Sequence, residues 1–138
     1  MSTESRLTGG CLCGRVRYAA AGSPLFSVVC YCRDCQRASG AVGVPVLGVD
    51  RAAFSVSGDP KSYAKPGGSG NAAIRHFCPD CGSLLFGTPA VAPDLVTIYA
   101  GSLDRPDLFT PDHVIFTRDQ PAWAKLQAAL QEFHAAPP

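Results

Sequence analysis

Seven cysteines stand in three tight groups along a chain of 138 residues, and no other feature restricts its folding as much. The groups are Cys11-Leu12-Cys13, Cys30-Tyr31-Cys32-Arg33-Asp34-Cys35 and Cys78-Pro79-Asp80-Cys81. An odd number of thiols cannot all pair as disulfides. Met1 to Gly10 is polar and lacks the apolar core of a signal peptide. A cytoplasmic location is therefore expected, where thiols stay reduced. Metal ligation is the reading that follows. Zinc takes sulfur at about 2.3 Å in a tetrahedron. A C-x-C pair in extended chain puts two sulfurs on one face, about 6.5 Å apart along the backbone. The C-x-x-C step beginning at Cys32 can fold back as a knuckle and bring a third sulfur to the same point. Cys78-Pro79-Asp80-Cys81-Gly82 is the strongest single zinc signal. Gly82 can take positive φ, which lets backbone N–H groups turn toward the sulfurs.

Seven thiols suit two zinc ions, with four on one and three on the other. One division joins Cys11 and Cys13 with Cys78 and Cys81, and leaves Cys30, Cys32 and Cys35 with an open fourth corner. The rival division joins Cys32 and Cys35 with Cys78 and Cys81, as in a zinc ribbon, and leaves Cys11, Cys13 and Cys30. Locality favours the first, because three adjacent thiols meet without help from a distant segment. A closed four-ligand site is typical of structure and an open one of chemistry. His76, His113 and His134 are candidate fourth ligands. His76 stands two residues before Cys78, so in a strand both face one side.

The length suits one domain over residues 1–138. No run of about 20 apolar residues is present, so no membrane span is expected. The formal net charge is +1. Thiols that lose their protons to two zinc ions would turn that balance weakly negative, which argues against a general nucleic-acid binder. Locally, Arg6, Arg15, Arg17, Arg33 and Arg37 outnumber Glu4 and Asp34, and some of them could attract a small anion near the metal.

Short apolar runs separated by Gly and Pro turns predict a mainly β protein. Val16 and Tyr18 alternate with Arg15 and Arg17 as in a half-buried strand. Phe26 to Cys30 reads as a strand that fixes Cys30, and Arg33 to Ser39 as a helical turn ended by Gly40. Val42, Val44 and Val46 form a strand that Pro45 assigns to a sheet edge or a bulge. Phe54 and Val56 form another, with Ser62 to Ala64 as its hairpin partner. Pro66-Gly67-Gly68-Ser69-Gly70 reads as a hairpin loop or a mobile loop over a site. Ala73 to Phe77, Leu84 to Phe86, Leu95 to Ala100 and His113 to Thr117 are further strands. Pro121 opens a short C-terminal helix, with Trp123, Leu126, Leu130 and Phe133 as its apolar stripe.

The segments Gly9-Gly10-Cys11-Leu12-Cys13-Gly14, Cys30 to Cys35, Phe77-Cys78-Pro79-Asp80-Cys81-Gly82 and Gly101-Ser102-Leu103-Asp104 resemble the glutathione-dependent formaldehyde-activating enzyme family, which also includes centromere protein V. The likeness runs from about Thr8 to Trp123. It implies the zinc-binding β-tent fold of small antiparallel sheets, also seen in methionine sulfoxide reductase B. It implies a structural zinc on Cys11, Cys13, Cys78 and Cys81 and a second, open zinc on Cys30, Cys32 and Cys35. A small thiol such as glutathione is the implied partner. Where many relatives have His between the first two cysteines of the triple group, this chain has Tyr31.

The function expected from this likeness is that of a carbon–sulfur lyase-type enzyme. It would act on the thiol adduct of a small aldehyde such as formaldehyde, with the substrate thiol at the open zinc. Arg33 and Arg37 are candidates to hold a substrate carboxylate bidentately, and Tyr31 to donate a hydrogen bond. Asp34 reads as a proton acceptor or a turn cap, and Asp104 as a family-motif or turn residue. The alternative is a non-catalytic zinc module that binds other proteins. Methionine sulfoxide reduction needs a free cysteine outside the zinc groups, and all seven are spent.

Overall fold

The computed structural model describes residues 6–66, 72–125 and 130–137. Its strands form two sheets. The smaller contains β1 (Arg6–Gly10), β2 (Arg17–Ala21) and β5 (Phe54–Ser57), in the order β1-β2-β5. The larger contains β3 (Phe26–Cys30), β4 (Val44–Asp50), β6 (Lys61–Pro66), β7 (Ala72–Phe77), β8 (Leu84–Gly87), β9 (Leu95–Tyr99) and β10 (His113–Ile115). Its order is β10-β3-β4-β9-β8-β7-β6. Pairing is antiparallel except where β10 runs parallel to β3. One α-helix, α1 (Arg33–Ser39), is described. The protein is mainly β, as expected, and among the described residues no helix is long and apolar enough to cross a membrane.

Two apolar cores follow from this arrangement. In the first, Leu7, Val16, Tyr18 and Ala20 of the small sheet's side meet Leu47, Val49, Leu85, Val96 and Ile98 of the large sheet. Leu47, Leu85 and Ile98 are fully buried, each burial stabilising by about 1.5–3 kcal/mol. The second core gathers Val28, Val44, Val46 and Tyr99 around Cys30 and Cys35. The sheets are also joined by polar contacts. Leu103 bridges to Gly9, and the Asp104 N–H donates to the Thr8 carbonyl at 2.9 Å. A Cβ on Gly9 would lie 2.3 Å from the Tyr18 hydroxyl oxygen, so only glycine permits that approach.

Three expectations need correction. Pro45 is not on an edge strand, because β4 lies between β3 and β9. Proline is tolerated there because the β9 register begins only at Val46, so Pro45 stands where β4 has a partner on one side. Ser62 to Ala64 does not pair with the Phe54 strand. β6 pairs with β7 and β5 pairs with β2, since the first core needs Phe54 stacked on Tyr18, with ring centroids 5.7 Å apart. The C-terminal helix is reduced, among described residues, to the single 3-10 turn Ala122–Ala124. Of its stripe, Trp123, Leu130 and Phe133 stay exposed, and propensity alone does not hold a short helix. Leu126 and the Gly67–Gly70 stretch lie outside the described residues.

Candidate metal centres

Cys11, Cys13, Cys78 and Cys81 come together from two knuckles, one between β1 and β2 and one between β7 and β8. Each knuckle is closed by its own backbone. The Cys11 N–H donates to the Val16 carbonyl at 3.0 Å, and the Gly82 N–H to the Cys78 carbonyl at 2.8 Å. Gly82 has φ 78°, the positive value expected of it. The Val16 N–H points at the Cys11 sulfur at 3.2 Å. Ser83 couples the knuckles: its hydroxyl accepts from the Leu12 N–H at 3.0 Å and lies 3.2 Å from the Cys81 sulfur. Arg15 and Asp80, one from each knuckle, lie 3.4 Å apart on the surface.

The sulfurs are spaced for a metal and not for disulfides. Cys11 and Cys13 sulfurs are 3.5 Å apart, and those of Cys13 and Cys78 are 3.8 Å apart. Corners of a zinc–sulfur tetrahedron with 2.3 Å bonds stand about 3.8 Å apart, whereas a disulfide needs about 2.05 Å. Hydrogen bonds from the Ser83 side chain first, then from backbone N–H groups, lower the Cys81 thiol pKa to about 5. That thiol gives up its proton readily, as a ligand must.

Cys30, Cys32 and Cys35 form the second group, at the end of β3 and the start of α1. Their sulfurs lie within 4.8 Å of one another. Among the described residues, no His, Asp, Glu or further Cys joins them at that spacing. Cys32 is the helix N-cap, its sulfur accepting from the Cys35 N–H at 3.3 Å. Gly40, with φ 77°, ends the helix as expected. Gln36 braces the knuckle from inside. Its side-chain amide donates to the Tyr31 carbonyl at 2.6 Å and to the Asp119 carbonyl at 3.2 Å. The C-terminal segment adds a further strap, the Tyr31 N–H donating to the Ile115 carbonyl at 3.1 Å.

Arg75, on β7, is a residue that sequence reasoning missed. Its Nη2 lies 3.7 Å from the Cys35 sulfur, and its Nε is buried without a hydrogen-bond partner among the described residues. Hydrogen bonding from Cys30 first, then Cys32 and Arg75, holds the Cys35 thiol down at about 5. The same contact with Cys35, followed by burial, pushes the Cys30 thiol up. Such a group gains and loses protons as a unit. A cavity of about 250 Å³ opens beside Cys30 and Cys35, with Arg75 and Tyr99 in its wall. Burial pushes the Tyr99 phenol up to about 12, so it stays neutral.

The other candidates are placed differently. Arg33 is exposed and bonds Gln36 Oε1, and Arg37 is exposed in the last helical turn. Tyr31 lies against Gly43, where a Cβ would meet its ring at 3.1 Å, and beside Val114 and Pro121 of the C-terminal segment. None of the three lines the cavity at Cys30 and Cys35. Asp34 pairs with Lys65 of β6 at 2.7 Å, which lowers its pKa. Asp104 accepts from Thr8 Oγ1 at 2.8 Å and forms a two-pronged pair with Arg17, so this motif residue clamps the small sheet. His76 contacts Thr88 Oγ1 at 2.7 Å and stacks on Phe86. His113 and His134 are exposed, and no histidine joins either sulfur group. Either group could hold a metal ion.

The sequence model of a family described as glutathione-dependent formaldehyde-activating enzyme matches residues 6–119. A Halomonas elongata protein named "Putative glutathione-dependent formaldehyde-activating enzyme" is 28% identical over 132 residues, covering 91% of this chain and 84% of the relative. A crystal structure of a Rhodobacter sphaeroides protein superposes with a TM-score of 0.57 at 21% identity. It covers 78% of this chain and 98% of that one, and shows a shared fold.

Proposed function

Since the chain belongs to the glutathione-dependent formaldehyde-activating enzyme family, we propose that it is a zinc-dependent enzyme of carbon–sulfur lyase type. It makes or breaks the bond between a small thiol, glutathione in the first instance, and an aldehyde carbon. The two sheets are read as the family's β-tent, within one domain over residues 1–138. Cys11, Cys13, Cys78 and Cys81 hold a structural zinc. Cys30, Cys32 and Cys35 hold a second, whose fourth position is left for the substrate. A zinc there supplies a site that takes a thiol and lowers its pKa from about 8.5 toward neutrality. The setting is a reducing cytoplasm, which keeps all seven thiols available as ligands.

The observation that carries this reading is the unequal membership of the two sulfur groups, four against three. Around the smaller group the chain's own residues do distinct work. The Cys32 cap and the Gln36 brace fix the three sulfurs on rigid elements. Three thiolates and a divalent ion sum to a net negative charge. Arg75, against the Cys35 sulfur, offsets that charge and favours retention of an incoming thiolate. Arg33 and Arg37 are exposed on α1, where a peptide-like thiol extending from the sulfur group can meet them with its carboxylates. Tyr31 ties the C-terminal segment to the end of β3 through its N–H on the Ile115 carbonyl.

The test is a cobalt-substituted protein titrated with glutathione. A glutathione-dependent change in the cobalt absorption bands, lost in Cys32→Ser, is the expected result. Absorption bands indifferent to glutathione would remove the thiol from the site.

A further inference from the structure

Formaldehyde contributes a single carbon to its thiol adduct, yet the chamber beside Cys30 and Cys35 is far larger than one carbon requires. It measures about 250 Å³, and Phe26, Val28, Val46, Ile74 and Ile115 supply its hydrocarbon wall. These side chains come from four strands of the large sheet, so the wall is rigid: Phe26 and Val28 from β3, Val46 from β4, Ile74 from β7 and Ile115 from β10. Among the described residues of the lining the one charged side chain, Arg75, is already engaged with the Cys35 sulfur at the sulfur end. Little polar surface is left for water, which is held well only where it finds two to four polar partners. Displacing poorly held water with hydrocarbon is favourable.

Building on the thiol reading above, we propose that this cavity takes the carbon substituent of the aldehyde half of the adduct, and that the substituent is apolar and several carbons long. The chain then serves adducts of aliphatic or aromatic aldehydes in preference to that of formaldehyde. The chemistry balances without a further reactant. As the carbon–sulfur bond forms, the carbonyl π pair moves to oxygen, and the thiol proton ends on that oxygen. Cleavage is the reverse. The substituent keeps all its bonds throughout, so the cavity selects it by shape and hydrophobicity alone.

Two stable thioethers separate this inference from the reading it rests on. S-methylglutathione carries the one carbon of a formaldehyde adduct, and S-hexylglutathione carries six. The zinc-loaded protein is titrated with each by calorimetry, and the methyl resonances of Val28, Val46, Ile74 and Ile115 are followed by NMR. The expected result is at least tenfold tighter binding of the hexyl compound, with shifts at those methyl groups. Ala73→Phe, at a partly exposed lining position, fills the cavity. It should abolish the gap while leaving S-methylglutathione affinity unchanged. If Ala73→Phe loses metal or cooperative unfolding, Pro89→Phe fills the same cavity from its loop side and must give the same result. Equal affinities, no binding of the hexyl compound, or a gap that survives the filled cavity would overturn the inference. The thiol reading fails separately, when glutathione leaves the cobalt bands unchanged.

Discussion

The four-sulfur group joins segments far apart in the chain, with Cys13 and Cys78 separated by 65 positions. The three-sulfur group is built from six consecutive residues. The first sits in the core that fastens the small sheet to the large one, and the second in the core around Val44, Val46 and Tyr99. Closing a long loop costs chain entropy, so a metal bound at the first group is coupled to the whole fold. A strand end and one short helix almost preassemble the second group, so a metal there adds little to folding. Their surroundings differ in the same sense. Ser83 and a surface ion pair finish the first. The second meets a cation and an apolar chamber. Cysteine count alone does not assign a role; sequence separation and the neighbouring surface do.

The sharpest way to break this contrast is to remove one sulfur from each group. Structural zinc contributes about 10–16 kcal/mol in small zinc-finger peptides, as much as or more than the about 5–15 kcal/mol that holds a domain folded. Cys78→Ser should therefore lose its cooperative thermal transition. Cys32→Ser should keep that transition and lose one metal by elemental analysis. Equal behaviour of the two variants would erase the distinction. A chelator series sharpens the same contrast more gently. One metal should leave first with circular dichroism unchanged, and the second only as the sheet signal collapses. Release of both together, with unfolding, would contradict the assignment.

A smaller effect is expected from Arg75→Met. Loss of a charge-assisted contact of about 1.5–3 kcal/mol should weaken glutathione binding by roughly tenfold or more at the cobalt-substituted site, with metal content retained. Unchanged affinity would mean that Arg75 only fills space. The smallest effect belongs to Asp104→Asn. The Arg17 guanidinium, then the Thr8 hydroxyl, hold the Asp104 carboxyl down at about 2 against an ordinary 3.8. Its contribution is therefore full above pH 3.8 and lost as the pH falls through about 2. The clamp is exposed, so wild type and variant should differ in Tm by a few degrees at most at neutral pH. The variant should keep both metals at neutral pH.

What the sequence disclosed was local. Cysteine spacing, the Gly40 and Gly82 turns and the alternation of Val16 and Tyr18 depend on neighbours within a few residues, and the structure repeats them. What it concealed depends on partners distant in the chain. Nothing around Arg75 announces that its guanidinium will reach Cys35, 40 positions away. Gln36 reads as an ordinary helical residue until its amide meets Asp119. Ser83 looks like a turn residue until Leu12 donates to it. The apolar stripe after Pro121 shows the opposite failure. Its period is helical, but Trp123 stays exposed. Pro45 was deceptive for a related reason: β9 ends its register with β4 one residue short of it.

The central claim is that one metal is enclosed by protein sulfur while the other keeps a position for an incoming thiol. X-ray absorption at the zinc edge of the two-zinc protein, with and without glutathione, tests it most directly. The account predicts one light-atom ligand shared over the two zincs, replaced by sulfur when glutathione is added; Cys32→Ser, left with the zinc on four sulfurs, should show neither the light atom nor a response to glutathione. Four protein donors on both zincs, unchanged by any thiol, would contradict it.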